Sequence, residues 1–218
     1  MPSKAYANYC KNSQQVYKLI KVYDDTLEAN KRRGKKGLDH LTRSGLMFLC
    51  SSWEVYVEQI AIEAGEIIAK RLRGPDGLPK EVKKKISKKI KESCNEIEPI
   101  NFARNWKEYY CNLINVEMKA LNTPKKEKIC SIFHAYLGLD KNRIESDVLT
   151  ISGINEIVVA RGDIAHNVFA DTYLKKEKLI RYFDTINKTI IDIELLFYNY
   201  IPEITGNAKR PWQNTYYN

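Results

Sequence analysis

The sequence predicts an all-α fold, a bundle of long antiparallel helices with a lysine-rich insert of shorter ones. Three observations predict it. Apolar residues recur at steps of three and four over most of the chain, the period of a helix with one buried face. No alternating strand pattern extends beyond a few residues. With 44% hydrophobic and 29% charged residues and only ten Gly and seven Pro in 218, the chain falls outside the disordered classes and is long enough to bury a core without staples.

A first helix is expected from about Ser3 to Asn30, with Tyr9, Val16, Ile20, Tyr23 and Leu27 as its stripe. The basic, glycine-punctuated run Lys31–Gly37 ends it. A second runs from about Leu38 to Leu72, where Leu49, Trp53, Tyr56, Val57, Ile60, Ala64 and Ile67 share a face. Gly74-Pro75-Asp76-Gly77 and Pro79 then break the chain. Shorter helices follow to Leu137, and Ser152 is an expected N-cap for a helix from Gly153 to about Asn167. The last long helix, about Lys175 to Tyr200, carries Leu179, Phe183, Ile186, Ile190, Ile193 and Phe197, and Pro202 is expected to stop it. Residues 1–201 thus read as one domain with an insert over about 74–147, and 202–218 as a polar, aromatic tail.

Composition narrows the setting. Five scattered cysteines without a C-x-x-C pair, and three histidines away from them, point to free thiols in a reducing compartment and to no metal site. The first residues lack the apolar core of a signal peptide, and no stretch approaches the roughly 20 apolar residues of a membrane span. The expectation is a cytoplasmic protein without a membrane partner. Charge is concentrated: Lys70–Lys91 holds ten basic residues against Asp76 and Glu81, and the formal net charge is +9. Lys83, Lys84, Lys85, Lys88, Lys89 and Lys91, with Arg32 and Arg33, are candidates for RNA binding, since such clusters gather polyanions in a salt-dependent way. A solvated helix face is the alternative.

The most informative stretch is Ser152–Asn167. At about 100° per residue, Ile154, Ile157, Val158, Ala165 and Val168 form a stripe with Arg161 in its middle, and Asp163 faces away. A guanidinium on an apolar face is rarely left unpaired. Either Arg161 bridges Glu54 or Glu58 inside the bundle while His166 caps the helix end, or it lines a cleft or interface that takes an anion. His166 lies about 140° away in azimuth, so one straight helix does not aim both groups at one point. As a bare pattern, Arg and His separated by four to six residues arise by chance about 0.4 times in such a composition. Arg33 and His40 form such a pair across the glycine-rich loop, so context has to decide.

That context is Arg161-Gly162-Asp163-Ile164-Ala165-His166-Asn167 before a long terminal helix, and Leu49-Cys50-Ser51-Ser52-Trp53-Glu54-Val55-Tyr56-Val57 in an early one. Together with the order of elements it resembles the HEPN superfamily, in the RiboL-PSP branch where an S-x-W-E-x-Y-like run recurs. The resemblance spans about Leu38–Ile201, apart from the lysine-rich region. It implies an all-α HEPN-like bundle and a metal-independent, cofactor-free endoribonuclease, with the motifs of two protomers forming one cleft. It also implies a defence or toxin–antitoxin setting, with an antitoxin or defence-system protein as a further partner beside RNA and the homodimer. Gly162 stands where the family commonly has a polar residue. Val168 stands where some toxin members carry tyrosine, which excludes control by tyrosine modification there.

The residue types suit that chemistry. Attack by the RNA 2′-hydroxyl needs a base for its proton, an acid for the departing 5′-oxygen and positive charge on the developing phosphorane. Imidazole serves as base or acid near neutral pH, and guanidinium is a bidentate phosphate donor that keeps its charge. Arg161 and His166 are therefore the candidate catalytic pair, with Asn167, Asp163 and Glu54 as supporting candidates. His134 reads as a packed histidine, and Trp106, Tyr109 and Tyr110 as core aromatics rather than a stacking platform. The alternative function is a catalytically inactive RNA-binding or protein-interaction module of the same fold.

Overall fold

In the computed structural model, which describes residues 1–29, 37–93, 97–122, 124–166 and 174–214, the chain forms nine α-helices and no strand among these residues. They are α1 (Lys4–Ala29), α2 (Asp39–Arg71), α3 (Lys80–Glu92), α4 (Ile97–Arg104), α5 (Trp106–Lys119), α6 (Lys126–Ile132), α7 (Lys141–Asp147), α8 (Ile154–His166) and α9 (Lys176–Thr205). A π-helical segment, Phe133–Leu137, continues α6. No helix of the described residues is long and apolar enough to cross a membrane.

Ser3 starts α1. Its Oγ accepts from the Tyr6 N–H at 2.9 Å and donates to the Glu194 carboxylate at 2.6 Å, so one hydroxyl caps a helix and ties it to α9. The Glu63 carboxylate accepts from the Lys4 and Ala5 N–H groups, both at 3.1 Å. A carboxylate there satisfies donors the helix leaves open and meets the positive end of its dipole. These contacts, with Asn8 on Gln59, run α1 antiparallel to α2. Tyr9 on Asn187 and Lys176 on Asp24 run it antiparallel to α9 as well. The long helices α2 and α9 therefore lie parallel, and α8, whose Glu156 accepts from Tyr182 at 2.7 Å, returns antiparallel to α9.

The central element is α2. Leu46, Leu49, Trp53, Tyr56, Ile60, Ala61 and Ile68 are buried along a broad inner side of it, because α1, α5, α8 and α9 all pack on it, while Phe48 and Ser51 stay exposed. At Gly45 a Cβ would stand 2.7 Å from a Leu179 methyl, and at Gly65 it would stand 2.3 Å from the end of Ile114. Fully buried Glu194 accepts from Tyr56 Oη at 3.0 Å, which gives the carboxylate a polar lining within the apolar centre. The stretch read as an insert packs through α5 and the π-helical segment onto the C-terminal half of α2 and shares its core.

Two local expectations are corrected. Pro202 does not stop α9, which continues to Thr205 and ends at Gly206 in the left-handed region (φ 61°). Its missing N–H leaves the Tyr198 carbonyl open, and Arg210 Nη1 donates to that oxygen at 3.1 Å. Buried Phe197 and Ile201 hold the last turns in place. Ser152 is exposed within a 3-10 turn, Ile151–Gly153, through which α8 is entered. The tail is docked as far as it is described. Trp212 is buried, the Gln213 N–H donates to the Met1 carbonyl at 3.0 Å, and Arg71 Nη1 donates to the Lys209 carbonyl at 2.6 Å.

Gly138 ends the π-helical segment with φ 79°, and a Cβ there would stand 2.2 Å from the Pro79 ring. Gly138→Ala is expected to cost about 2 kcal/mol, from left-handed backbone and the clash together, and to lower Tm by roughly 4–8 °C. Gly162→Ala, in helical backbone with open space around the site of the new Cβ, is expected to raise Tm slightly through helix propensity. Thermal unfolding of the two variants side by side checks both signs.

Candidate functional site

The helix α8 is amphipathic in the ordinary way for its first two turns, with Ile154 and Ile157 buried against the core. Arg161 follows on the same azimuth and is half-buried. Its guanidinium charge is felt at the Cys50 thiol, where burial is the main influence and pushes the pKa up to about 12, Arg161 lowers it and Glu54 raises it. Arg161 and Glu54 thus flank one neutral thiol of α2. Among the described residues no ion pair joins Arg161 to Glu54 or Glu58. Burial and the neighbouring Glu54 charge raise the pKa of Glu58.

On the outer side of α8, Val159 is 50% exposed, and Asp163 and His166 are exposed. His166 is the last residue of the helix. Five residues of rise place it about 7.5 Å along the axis from Arg161. Within one chain the two groups therefore point in different directions. The flank of α8 towards α2 is a hollow of about 330 Å³, in which Ile164 meets Arg43, Ser44, Met47, Phe48 and Ser51. Phe48, 50% exposed, stands at its edge. Sequence reasoning missed this hollow, although the spacing of Met47, Phe48 and Ser51 puts them on one side of α2. Asn167, Arg32 and Arg33 lie outside the described residues.

The S-x-W-E-x-Y-like run divides by role. Ser51 is exposed at the hollow, while Trp53 and Tyr56 are fully buried, with Trp53 Nε1 donating to the Pro124 carbonyl at 3.2 Å. Glu54 lies between, half-buried.

Residues 11–199 match the RiboL-PSP-HEPN family. The chain belongs to that family. No curated protein and no solved structure gives a significant match. HEPN membership associates the chain with RNA, on which HEPN domains typically act as dimers.

The HEPN chain's lysines do not act as one group. Around α3, Lys80, Lys83, Lys84, Lys88 and Lys91 occupy one arc of roughly 140° centred between Lys80 and Lys91, all of them exposed. Lys85 turns away, its Nζ 4.9 Å from the centre of the Tyr136 ring. Lys89 turns to the other side, into a groove of about 430 Å³ with Asn101, Arg104, Tyr109, Asn112 and Val116. That groove also escaped the sequence reading, because it needs α4 and α5 to fold back beside α3. Burial and a hydrogen bond to Glu98 push the Tyr109 hydroxyl up to about 12. His134 is half-buried with Nδ1 2.8 Å from the Leu139 carbonyl oxygen, and buried Tyr110 donates to the Tyr136 carbonyl at 2.8 Å.

Proposed function

We propose that this HEPN protein is a metal-independent endoribonuclease that cleaves RNA by attack of its own 2′-hydroxyl, in a cleft shared by two protomers. The observation that carries the reading is Arg161, a half-buried guanidinium on the core-facing side of α8 without a carboxylate ion pair among the described residues. A cation so placed is ready for an anion supplied from outside the chain. His166, exposed at the helix end, has the chemistry of the base or acid. A two-fold axis beside α8 brings two arginines and two histidines together, which answers the divergence of the pair within one chain. Exposed Phe48 and Val159 supply apolar surface near that end of the bundle. Asp163, Glu54 and Asn167 are proposed as supporting residues that orient these groups rather than react. A defence or toxin–antitoxin role, with a protein partner to match, is part of the same proposal and rests on family likeness.

The test is RNA cleavage in EDTA by wild type, Arg161→Ala and His166→Ala, each checked for folding by circular dichroism. Wild type is expected to leave 2′,3′-cyclic phosphate ends and to spare matched DNA. Each variant is expected to lose at least 100-fold in rate, on the order of a general acid–base contribution. Equal inactivity of all three folded proteins on total RNA and tRNA would favour the inactive RNA-binding module instead. The lysine face of α3, which stands away from the motif, is the observation on that side.

A further inference from the structure

We infer that the lysine face of α3 is a second RNA-holding surface, remote from the Arg161/His166 motif, so that the preferred substrate is an RNA long enough to reach both. This rests on the ribonuclease reading above. Along α2, the helix that carries Arg161 lies at the level of Met47, Phe48 and Ser51, which share a hollow with its Ile164, and the Arg161 charge is felt at Cys50, whereas α3 packs on the π-helical segment whose Leu137 reaches Gly65. The intervening rise is roughly 22 Å to Gly65 and about 32 Å to the end of α2 at Arg71. A dimer axis passing through the motif leaves the two lysine faces at the outer ends of the assembly, one on each side of the cleft.

The chemistry of the face identifies its ligand. It holds five lysines and a serine with no apolar side chain on the arc, so it has nothing to insert into a bilayer. It also has no arginine or aromatic group with which to read a base. Glu81 and Glu92 lie at its margin, Glu81 2.9 Å from Lys84 and Glu92 3.6 Å from Lys88. These two carboxylates offset part of the charge, and the five ammonium groups leave the face net positive. Lys83 Nζ donates to the Asp76 carbonyl at 3.1 Å, which steadies one ammonium without cancelling its charge. A row of ammonium groups without base readers holds a phosphate backbone by charge, irrespective of sequence. A span of about 30 Å corresponds to on the order of ten base pairs or more of duplex RNA, whose A-form stacks more closely along its axis than B-DNA. RNA of that reach on either side of the scissile bond engages the motif and a lysine face together.

The experiment compares a 6-nucleotide RNA with a 40-nucleotide RNA, using wild type and a variant with Lys80, Lys83, Lys84, Lys88 and Lys91 all changed to Gln. Wild type is expected to prefer the long RNA by about tenfold or more in kcat/KM. In the variant that preference should collapse towards one, through KM rather than kcat. Binding of the long RNA to His166→Ala protein, with and without the lysine changes, is read separately by anisotropy across salt. The lysine changes are expected to flatten the slope of log K against log salt by about three or more. An undiminished preference and an unchanged salt slope in the variant overturn the inference. If wild type cuts no RNA but the lysine changes still flatten the slope, the ribonuclease reading falls while the lysine face stands as an RNA site.

Discussion

Arg161→Ala and His166→Ala protomers, each inactive alone, are expected to regain RNA cleavage when combined in one dimer. The reason is geometric. On α8 the two side chains diverge by about 140° and are separated by about 7.5 Å of rise, so a site built from a single helix holds one of them badly. In a shared cleft each single variant lacks both copies of one group, whereas the mixed dimer keeps one arginine and one histidine. Co-refolding differently tagged chains and isolating the doubly tagged species gives the mixed dimer free of its parents. Its rate is expected on the order of one tenth of wild type, well above parents that have lost a general acid–base contribution of 100-fold or more. A mixed dimer no faster than its parents would place the chemistry within single protomers, since every protomer in it then lacks one member of the pair. The same preparation measures the dimer itself, because a chain that stays monomeric under assay conditions yields no doubly tagged species.

The largest stability effect is expected at Trp53. Its side chain is fully buried and stacks near Tyr56 with ring centroids 6.2 Å apart. It donates to the Pro124 carbonyl at 3.2 Å, which pins the turn between α5 and α6 to the middle of α2. Truncation removes a large buried ring, leaves a cavity the rigid α2 surroundings fill poorly, and strips that carbonyl of its donor. Trp53→Ala should cost about 3–5 kcal/mol, and by the scaling for chains of this size lower Tm by roughly 10 °C or more. Trp53→Phe retains most of the apolar volume and loses the N–H, so about 1–2 kcal/mol is expected. Denaturant unfolding separates the two if the slope is unchanged. Equal losses in both variants would mean that the hydrogen bond, not the ring, carries the stability. Retained cleavage by folded Trp53→Phe would show that the tryptophan of the W-E-x-Y run supports the fold rather than touching RNA.

The sequence made the helices legible because burial imposes a period that nothing else imitates. Tyr9, Val16 and Tyr23 in α1, Leu49 to Ile60 in α2, and Leu179, Ile186, Ile190 and Ile193 in α9 all face the core as their spacing implies. The end of α9 was less legible. A proline reads as a stop only until a residue distant in the chain, here Arg210, takes the carbonyl it orphans. At the candidate site, the azimuths of Arg161 and Asp163 on α8 were readable from 3.6 residues per turn alone. Ala165, placed on the apolar stripe by the same rule, is exposed, since α8 ends one residue later and its last turn is less covered.

Spacing and residue type alone specify what is local and periodic: an all-α chain, the positions of its long helices, the RiboL-PSP-HEPN likeness and the divergence of Arg161 from His166. Which groups come together was settled by packing between helices. It ran α2 parallel to α9, seated Arg161 beside Cys50 without a carboxylate ion pair among the described residues, and opened the hollow at Met47 and Phe48. It also sorted one lysine run into an outward face, a cation over Tyr136 and a groove residue, and set that face some 20–30 Å from the motif by the rise of α2. The physical reason is that periodicity specifies which side of a helix is buried, while the identity of the neighbour depends on contacts between residues far apart in the chain.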